Sequence, residues 1–402
     1  MAVKNPPAFV DFPDWVYQGF LLHGWMAGHH VAGYALKRYA VPNSTTTVGL
    51  GLLDTVLTWQ WAGKAWIAIY ILLAGFATWM LSKATRGSDW RLMVALPGSV
   101  FFNLDFWYGH ISFEMGMFLT FLLVALMIRE ASSVTLSLLL VLIFFTHMEA
   151  CACALLFLGI WSWEKKQLRR LWVGVPAILL TAWYAVGRFS SGNPDGGMAD
   201  VGYRYGSKTF IIYKVNTYFR TFGYVNVCDM QGHSVSELFL GRALFVLLIA
   251  ASLCVAALII WLMLRFLLEP DEHNGSHRSI KIFLVALLAL SLFLPHTILG
   301  TADPGSRLLL MAVAIGSYFV RWNRPAGTMI ACLSVLFCLV NLYQLARVSR
   351  GPLVQGRQKD LPAAILRYGH VEPAIRVHLY KAIEQGQMDQ IVFTSGLFTQ
   401  SR

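Results

Sequence analysis

The 402-residue chain is too apolar and too poor in charge to be an ordinary soluble domain. Hydrophobic residues make up 57% of it and charged residues 13%, against about a quarter charged in soluble proteins. The net charge of +11 does not indicate nucleic-acid binding, because the basic residues lie in short loops between apolar runs rather than along one face. The composition therefore predicts a polytopic membrane protein.

The first 45 residues form an external amphipathic segment with an acidic loop, which contains the stretch DFPDWVYQGFLLHGWMAGHH. Asp11 and Asp14 flank Pro13, a residue that suits a loop or the first turn of a helix. A helical pattern continues from Asp14 to Gly24, and we expect this helix to lie on the membrane surface with the carboxylates at its start. Capping the helix N-terminus is an equally good account of either aspartate.

Residues 46–347 contain the apolar runs of a helical bundle, since a membrane-spanning helix needs about 20 apolar residues. The clearest runs are Trp66 to Leu81, Phe113 to Ile128, Leu171 to Val186, Ala243 to Leu268, Ile282 to Leu299, Leu308 to Val320 and Met329 to Leu345. Two shorter runs, Val48 to Trp61 and Leu92 to Leu104, suit partial helices shielded by protein. The predicted fold class is all-α: an integral membrane bundle of about ten transmembrane or partial helices.

A polar THME sequence interrupts the long apolar run from Val134 to Trp163, which predicts two short helices meeting at Thr146 to Glu149. His147 and Glu149 lie in this interruption, and ionisable residues inside an apolar run are functional candidates by default. In a continuous helix the two side chains would point to opposite faces. Both can reach one site only if the helix breaks there.

The basic sequence EKKQLRR from Glu164 to Arg170 is the strongest cytoplasmic anchor in the chain. Counting helices outward from it places the polar loops that carry acids and histidines on the opposite, external side, together with a long external loop at residues 188–238. Residues 348–402 change in composition and are expected to form a small extramembrane appendage. The acidic and imidazole residues thus gather at one face of the membrane.

Two further clusters carry candidate site residues. His110 and Glu114 are four residues apart and share a helix face, a spacing that suits a metal site, a proton relay or a plain i,i+4 hydrogen bond, and we favour the hydrogen bond. Arg307 begins a late helix on the external side, where arginine is a topological exception and its guanidinium suits a phosphate. A local ion pair with Asp303 explains Arg307 equally well.

Several of these segments together resemble a known family. An acidic first external loop (DFPDW), the later segments GHISFEMG and FFTHMEA, and a short DPGSR loop late in the bundle resemble the polytopic glycosyltransferases of the GT-C fold, which take sugar from a polyprenyl-phosphate donor. The resemblance covers Asp11 to Arg324 and is one of layout. It implies a catalytic base at Asp11 or Asp14, and a phosphate-binding role for Arg307.

The expected activity is transfer of a sugar from a lipid-phosphate donor to a lipid or glycan acceptor, at the external face of a bacterial inner (plasma) membrane. No cofactor is certain, although a divalent metal ion is an option. The expected partners are membrane lipid, the polyprenyl-phosphate-linked donor and the acceptor, and not nucleic acid. The residues expected to line the substrate site are His110, Glu114, His147, Glu149, Tyr203, Arg204, Asp303 and Arg307.

The alternative is a multi-pass transporter or flippase for a lipid-linked or small polar substrate. In that protein His147, Glu149 and His296 would relay protons inside the membrane. A transporter predicts polar residues near the bilayer midplane and an internal repeat. The sequence contains no clear repeat, and its polar residues cluster at one membrane boundary, so we favour the transferase.

Overall fold

The structure is a computed structural model. Its helices and strands are numbered in chain order, counting only those in the described residues. It describes residues 11–31, 34–85, 103, 105–106, 109–190, 214, 246, 250, 254, 257, 260–261, 263–268, 275–295, 297–298, 301–302, 304–320, 325, 327–329, 331–333, 335–336, 339–340, 378–385 and 397–400. Helices account for 84% of the interpretable residues, which confirms a mainly helical fold.

The elements whose two ends are described follow the chain in this order. They are α1 (Phe12–Met26), β1 (Tyr34–Leu36), α2 (Ser44–Asp54), α3 (Trp59–Thr85), α4 (Ile111–Ile128), α5 (Ser133–Thr146), α6 (Met148–Glu164), a 3₁₀ helix (Leu168–Gly174), α7 (Val175–Ser190), α8 (Gly275–Phe293), β2 (Thr297–Ile298), β3 (Thr301–Ala302), α9 (Pro304–Phe319), α10 (His378–Gln385) and β4 (Phe398–Gln400). The two short sheets are antiparallel pairs, β1 with β4 and β2 with β3.

Three described segments are long and apolar enough to cross a membrane: Trp59–Thr85, Ile111–Ile128 and Leu168–Arg188. Each contains one of the runs picked out in the sequence, so an apolar helix of spanning length is confirmed for these three runs. The run from Leu92 to Leu104 lies almost wholly outside the described residues, and Met329 to Leu345 is described only at scattered positions. The count of about ten helices stays a prediction.

Two predicted runs have different bounds in the structure. The chain leaves the helix between α2, which ends at Asp54, and α3, which begins at Trp59, so Val48 to Trp61 is not one partial helix. With 11 residues, α2 is only about 16 Å long and is too short to span a bilayer. The run from Ile282 to Leu299 is also shorter than predicted, because α8 ends at Phe293 and the β2–β3 hairpin follows.

Helix α9 lies in the core of the bundle. Every one of its residues from Pro304 to Phe319 is buried, which is the property of a helix surrounded by protein on all sides. It packs against α8 and α3, and Tyr318 near its end meets the ring of Phe121 on α4 at 6.1 Å. Any charged residue in the first turn of α9 is therefore held in the interior.

Helix α1 forms as expected, but its N-terminal half lies inside the protein, while Trp25 and Met26 at its end are exposed. All residues from Phe12 to Gly19 are buried, and α1 packs on α2. The two helices approach closely because Gly19 has no side chain. A Cβ at this position would stand only 2.5 Å from the Cβ of Leu50. The pattern of apolar residues correctly predicted a helix. The expected polar face in solvent is not observed from Phe12 to Gly19.

The described part of the C-terminal segment docks on the N-terminal one. Strand β4 pairs with β1 in a register that sets Gln400 opposite Tyr34. Helix α10 packs on α1, and Tyr380 of α10 lies 5.3 Å from the ring of Trp59 at the start of α3. This part of the predicted appendage is thus attached to the bundle through α1, β1 and α3.

The predicted break at the THME sequence is confirmed. Helix α5 ends at Thr146 and α6 begins at Met148, while His147 between them is extended, with φ −163° and ψ 129°. The break packs closely against α4 because Gly116 has no side chain. A Cβ at Gly116 would lie 2.7 Å from the Cβ of Ala150 and 3.1 Å from that of His147.

We expect Gly116→Ala to destabilise the protein by about 1–3 kcal/mol, because both clashing atoms are Cβ atoms that cannot move without their backbone. Gly75→Ala in α3 is the matched control, since a Cβ there meets nothing within 4 Å and alanine favours the helix by about 1 kcal/mol. Chemical unfolding of both variants in detergent measures the difference. Equal stability of the two would contradict the close packing.

Candidate functional site

The centre of the candidate site is the guanidinium of Arg307, in the first turn of α9. Its Nε donates to Asp105 Oδ1 at 3.1 Å, and its Nη1 donates to Glu149 Oε2 at 3.4 Å. The side chain is only 5% exposed. The segment before α4, the start of α6 and the start of α9 therefore meet at one buried cation.

His110 extends this group of charges toward the surface. Its Nδ1 lies 2.7 Å from Asp105 Oδ1 and its Nε2 lies 3.4 Å from Asp11 Oδ2. Arg307 Nη2 is 3.0 Å from the same Nδ1. Because the ring stands between two carboxylates, the protonated imidazolium can donate to both of them.

The charges in this network shift one another's pKa. Burial alone would raise the pKa of Asp105, but the hydrogen bond with His110 and the charge of Arg307 outweigh it, and the net pKa is lowered. Burial and the charge of Arg307 both lower the pKa of His110, yet its hydrogen bonds to Asp105 and Asp11 prevail and raise it. Both shifts favour the charged forms, an ionised Asp105 beside a protonated His110.

The two N-terminal aspartates differ in their surroundings. Asp11 makes no side-chain cap bond at the start of α1, and its side chain is 35% exposed while it contacts His110. Asp14 is buried, with 8% of its surface exposed, in the first turn of α1. Helix capping is therefore not the role of Asp11, which instead joins the charged network through His110.

Glu114 has partners other than the expected His110. The hydroxyl of Tyr70 and the amide of Asn103 both donate to its carboxylate, so the predicted i,i+4 side-chain hydrogen bond is not formed. Asn103 Oδ1 in turn accepts the backbone N–H of Phe106 at 3.0 Å. Glu114 thus fixes the short segment that carries Asp105.

His147 reaches the site from the break between α5 and α6. Its ring meets that of Phe113 edge-on at 5.3 Å, and Phe113 also carries the guanidinium of Arg307 over its face at 5.3 Å. Only 8% of His147 is exposed, and its Nδ1 has no hydrogen-bond partner among the described residues. Since the same break brings in Glu149, the interruption of the apolar run indeed delivers both residues to one place.

The structure joins Asp11, His110, Asp105, Arg307 and Glu149 by successive contacts, and His147 and Glu114 lie next to them. Asp303, Tyr203, Arg204 and His296 lie outside the described residues. Sequence analysis missed Asp105, Asn103 and Tyr70; Asp105 and Asn103 stand in the same polar segment as His110, and that proximity was the available signal. Among the described residues, no group of three or more histidines, cysteines or acids is arranged to hold a metal ion.

Comparison with known proteins assigns no relative. No protein-family model matches the chain, and no curated protein or solved structure matches it. The resemblance to GT-C glycosyltransferases is therefore carried only by the layout of the sequence. The chemistry that the site permits is the basis of the functional argument below.

We expect His110→Gln to cost stability mainly at neutral and lower pH. Because the pKa of His110 is raised in the folded protein, its contribution is full below the ordinary value of about 6.5 and is lost as the pH rises through the raised value. Hydrogen bonds to charged groups contribute about 1.5–3 kcal/mol. Unfolding free energies of wild type and variant should therefore differ most near pH 6 and converge in alkaline solution.

The control for this pH dependence is His29→Gln, since His29 is exposed and a surface change costs within about 0.5 kcal/mol. A stability deficit of His110→Gln that stays constant from acid to alkaline pH would mean that the charged imidazole is not what the two carboxylates bind.

Proposed function

We propose that the protein is a membrane glycosyltransferase of the GT-C type, which moves a sugar from a lipid-phosphate donor to a lipid or glycan acceptor. The observation that carries the proposal is the position of Asp11. Its carboxylate is partly exposed at 35% and is backed by His110, Asp105 and Arg307, of which the last two are buried. A reachable carboxylate held by a rigid charged network is what a general base requires.

The transfer step follows from this geometry. The acceptor hydroxyl gives its proton to the Asp11 carboxylate while its oxygen forms a bond to the anomeric carbon of the donor sugar. The bond between that carbon and the phosphate oxygen breaks, and the lipid phosphate leaves with the electron pair. His110 holds the Asp11 carboxylate through Nε2, and Asp105 holds the other ring nitrogen, so the base keeps one orientation.

Positive charge for the leaving phosphate is proposed at the first turn of α9. Lys214 is buried and its Nζ donates to the carbonyl of Ser291 at 2.8 Å, and the same Nζ lies 2.7 Å from the place where a Cβ of Gly305 would stand. Arg307 follows two residues later, and its contact with Glu149 is long at 3.4 Å. A phosphate can share that edge of the guanidinium and the N–H groups of the helix start.

The remaining residues line the substrate region in this proposal. His147 offers an unsatisfied Nδ1 to a sugar hydroxyl, and Glu149 can accept from another. We propose that Asp303, Tyr203 and Arg204 also belong to the donor site. The enzyme would work at the external face of a bacterial inner membrane, where it meets its donor and acceptor lipids, and a divalent ion stays optional.

A transporter or flippase is the second candidate, and one observation favours it. Glu114 is fully buried within the apolar helix α4, where it contacts Tyr70 of α3. Buried carboxylates in membrane-spanning helices are typical of proton relays. In that protein the same charges would exchange protons during transport, and no covalent bond of the substrate would change.

The test is transfer of labelled sugar from polyprenyl-phosphate donors to lipid or glycan acceptors in membranes that contain the full chain. Loss of a general base lowers the rate about 100-fold to 10,000-fold, so we expect Asp11→Asn to lose at least that lower factor. Asp14→Asn should retain activity within a few-fold, because Asp14 is only 8% exposed and a substrate cannot reach its carboxylate as it can that of Asp11. Glu130→Gln, in an exposed loop, controls for expression.

Full activity of Asp11→Asn would contradict the assignment of the base. Absence of transfer from every donor, together with substrate uptake that depends on a proton gradient and is lost in Glu114→Gln, would identify the transporter instead.

A further inference from the structure

An apolar groove lies far from the candidate site, toward the other end of α6. Glu149 in the site and Glu164 at the groove are fifteen residues apart on α6, which is about 22 Å along a helix. The groove has a volume of about 540 Å³. Its lining residues are Leu155, Leu156, Gly159, Ile160, Trp163 and Glu164 of α6 and Ile282 of α8.

One end of the groove is surrounded by positive charge. Arg278, one turn before Ile282 on α8, donates through Nε to Glu164 at 3.2 Å and is still 62% exposed. Lys165 follows Glu164 directly and stands over the ring of Trp161 at 5.2 Å. The described segment from Glu164 to Arg170, together with Arg278, carries five cations, Lys165, Lys166, Arg169, Arg170 and Arg278, and one acid, Glu164.

Arg170 provides an independent sign that this end can bind an anion. Its Nη1 is buried, and it has no hydrogen-bond partner among the described residues. The 3₁₀ helix that carries Arg170 packs on α6, and a Cβ at Gly174 of this helix would lie 2.9 Å from Leu155, a lining residue of the groove. A buried, unsatisfied guanidinium nitrogen costs free energy, so an acceptor oxygen there would be stabilising.

Two exposed tryptophans at this end are typical of a surface at the level of lipid headgroups. Trp163 at the groove is 72% exposed and Trp172 on the 3₁₀ helix is 75% exposed. Tryptophan is enriched where a membrane meets water, and lysine and arginine on the cytoplasmic side bind anionic headgroups. Apolar lining, a basic rim and interfacial tryptophans thus occur together at one place.

We propose that this groove binds an anionic phospholipid of the surrounding membrane, with an acyl chain along α6 and the phosphate against Arg170, Arg278 and Lys165. Charge complementarity decides the occupant: a zwitterionic lipid would bring a cation into an already basic rim. The proposal does not depend on the proposed function, because no residue of the groove belongs to the charged network around Arg307.

Two variants separate the acyl and headgroup contacts. A Cβ at Gly159 meets nothing within 4 Å, so Gly159→Leu adds apolar volume to the groove from a Cβ that stands in open space. Gly75→Leu, at an equally open position on α3, is its matched control. Arg278→Gln removes a charge from the rim, and Arg129→Gln, in an exposed loop after α4, is the control for loss of an arginine.

The experiment titrates the purified full chain in nonionic detergent with phosphatidylglycerol or phosphatidylcholine. Native mass spectrometry counts retained lipid, and the unfolding temperature reports stabilisation. We expect phosphatidylglycerol to bind and to raise the unfolding temperature of wild type and both controls, with an apparent affinity at least tenfold weaker in Gly159→Leu and in Arg278→Gln. Phosphatidylcholine should do neither.

Equal binding of the two lipids, or unchanged phosphatidylglycerol affinity in Gly159→Leu, would overturn the proposal. So would a dimer that dissociates in Gly159→Leu without lipid, since the groove would then hold a second copy of the chain. Far-ultraviolet circular dichroism of each variant, matched to wild type, excludes misfolding as the cause of lost binding.

Discussion

A guanidinium buried in the middle of a helical bundle is the constraint on which the rest of this structure depends. Arg307 lies in a helix whose residues are all buried, and in the first turn, where the helix dipole opposes a positive charge. The negative charges of Asp105 and Glu149 offset the free-energy cost of burying the guanidinium and the cost of its position at the positive end of the helix. Removing one partner of a buried ion pair costs about 3–5 kcal/mol, so the segments that supply these carboxylates are held in place by the arginine.

Several other features of the structure help to bring these carboxylates to Arg307. The break at His147 turns the start of α6 so that Glu149 faces Arg307, and Gly116 leaves room for that break against α4. Glu114 fixes the segment of Asp105 through Asn103. Only then can His110 stand between Asp105 and the partly exposed Asp11. The outermost carboxylate, that of the partly exposed Asp11, is thus positioned by a charge in the core.

The sequence was informative where a property depends on neighbouring residues. Run length predicted spans such as α3 and α4, and the interruption at THME predicted the break. Local spacing failed for His110 and Glu114, because His110 contacts Asp105 and Asp11 while Glu114 accepts from Tyr70 and Asn103. The burial of α1 was equally out of reach, since it depends on α2 and on the docked C-terminal segment. Asp105 was overlooked because no periodic pattern marks a single acid in a short loop.

The central claim is that Arg307 and Asp105 stabilise the fold as a pair, and a double-mutant cycle measures it most directly. Unfolding free energies in detergent would be compared for Arg307→Met, Asp105→Leu and the double variant, beside the same cycle on Arg278 and Glu164, a pair in which the arginine is 62% exposed. The account predicts a coupling of about 1–3 kcal/mol for the buried pair and less than about 1 kcal/mol for the solvent-screened one. Additive effects of Arg307→Met and Asp105→Leu would contradict it.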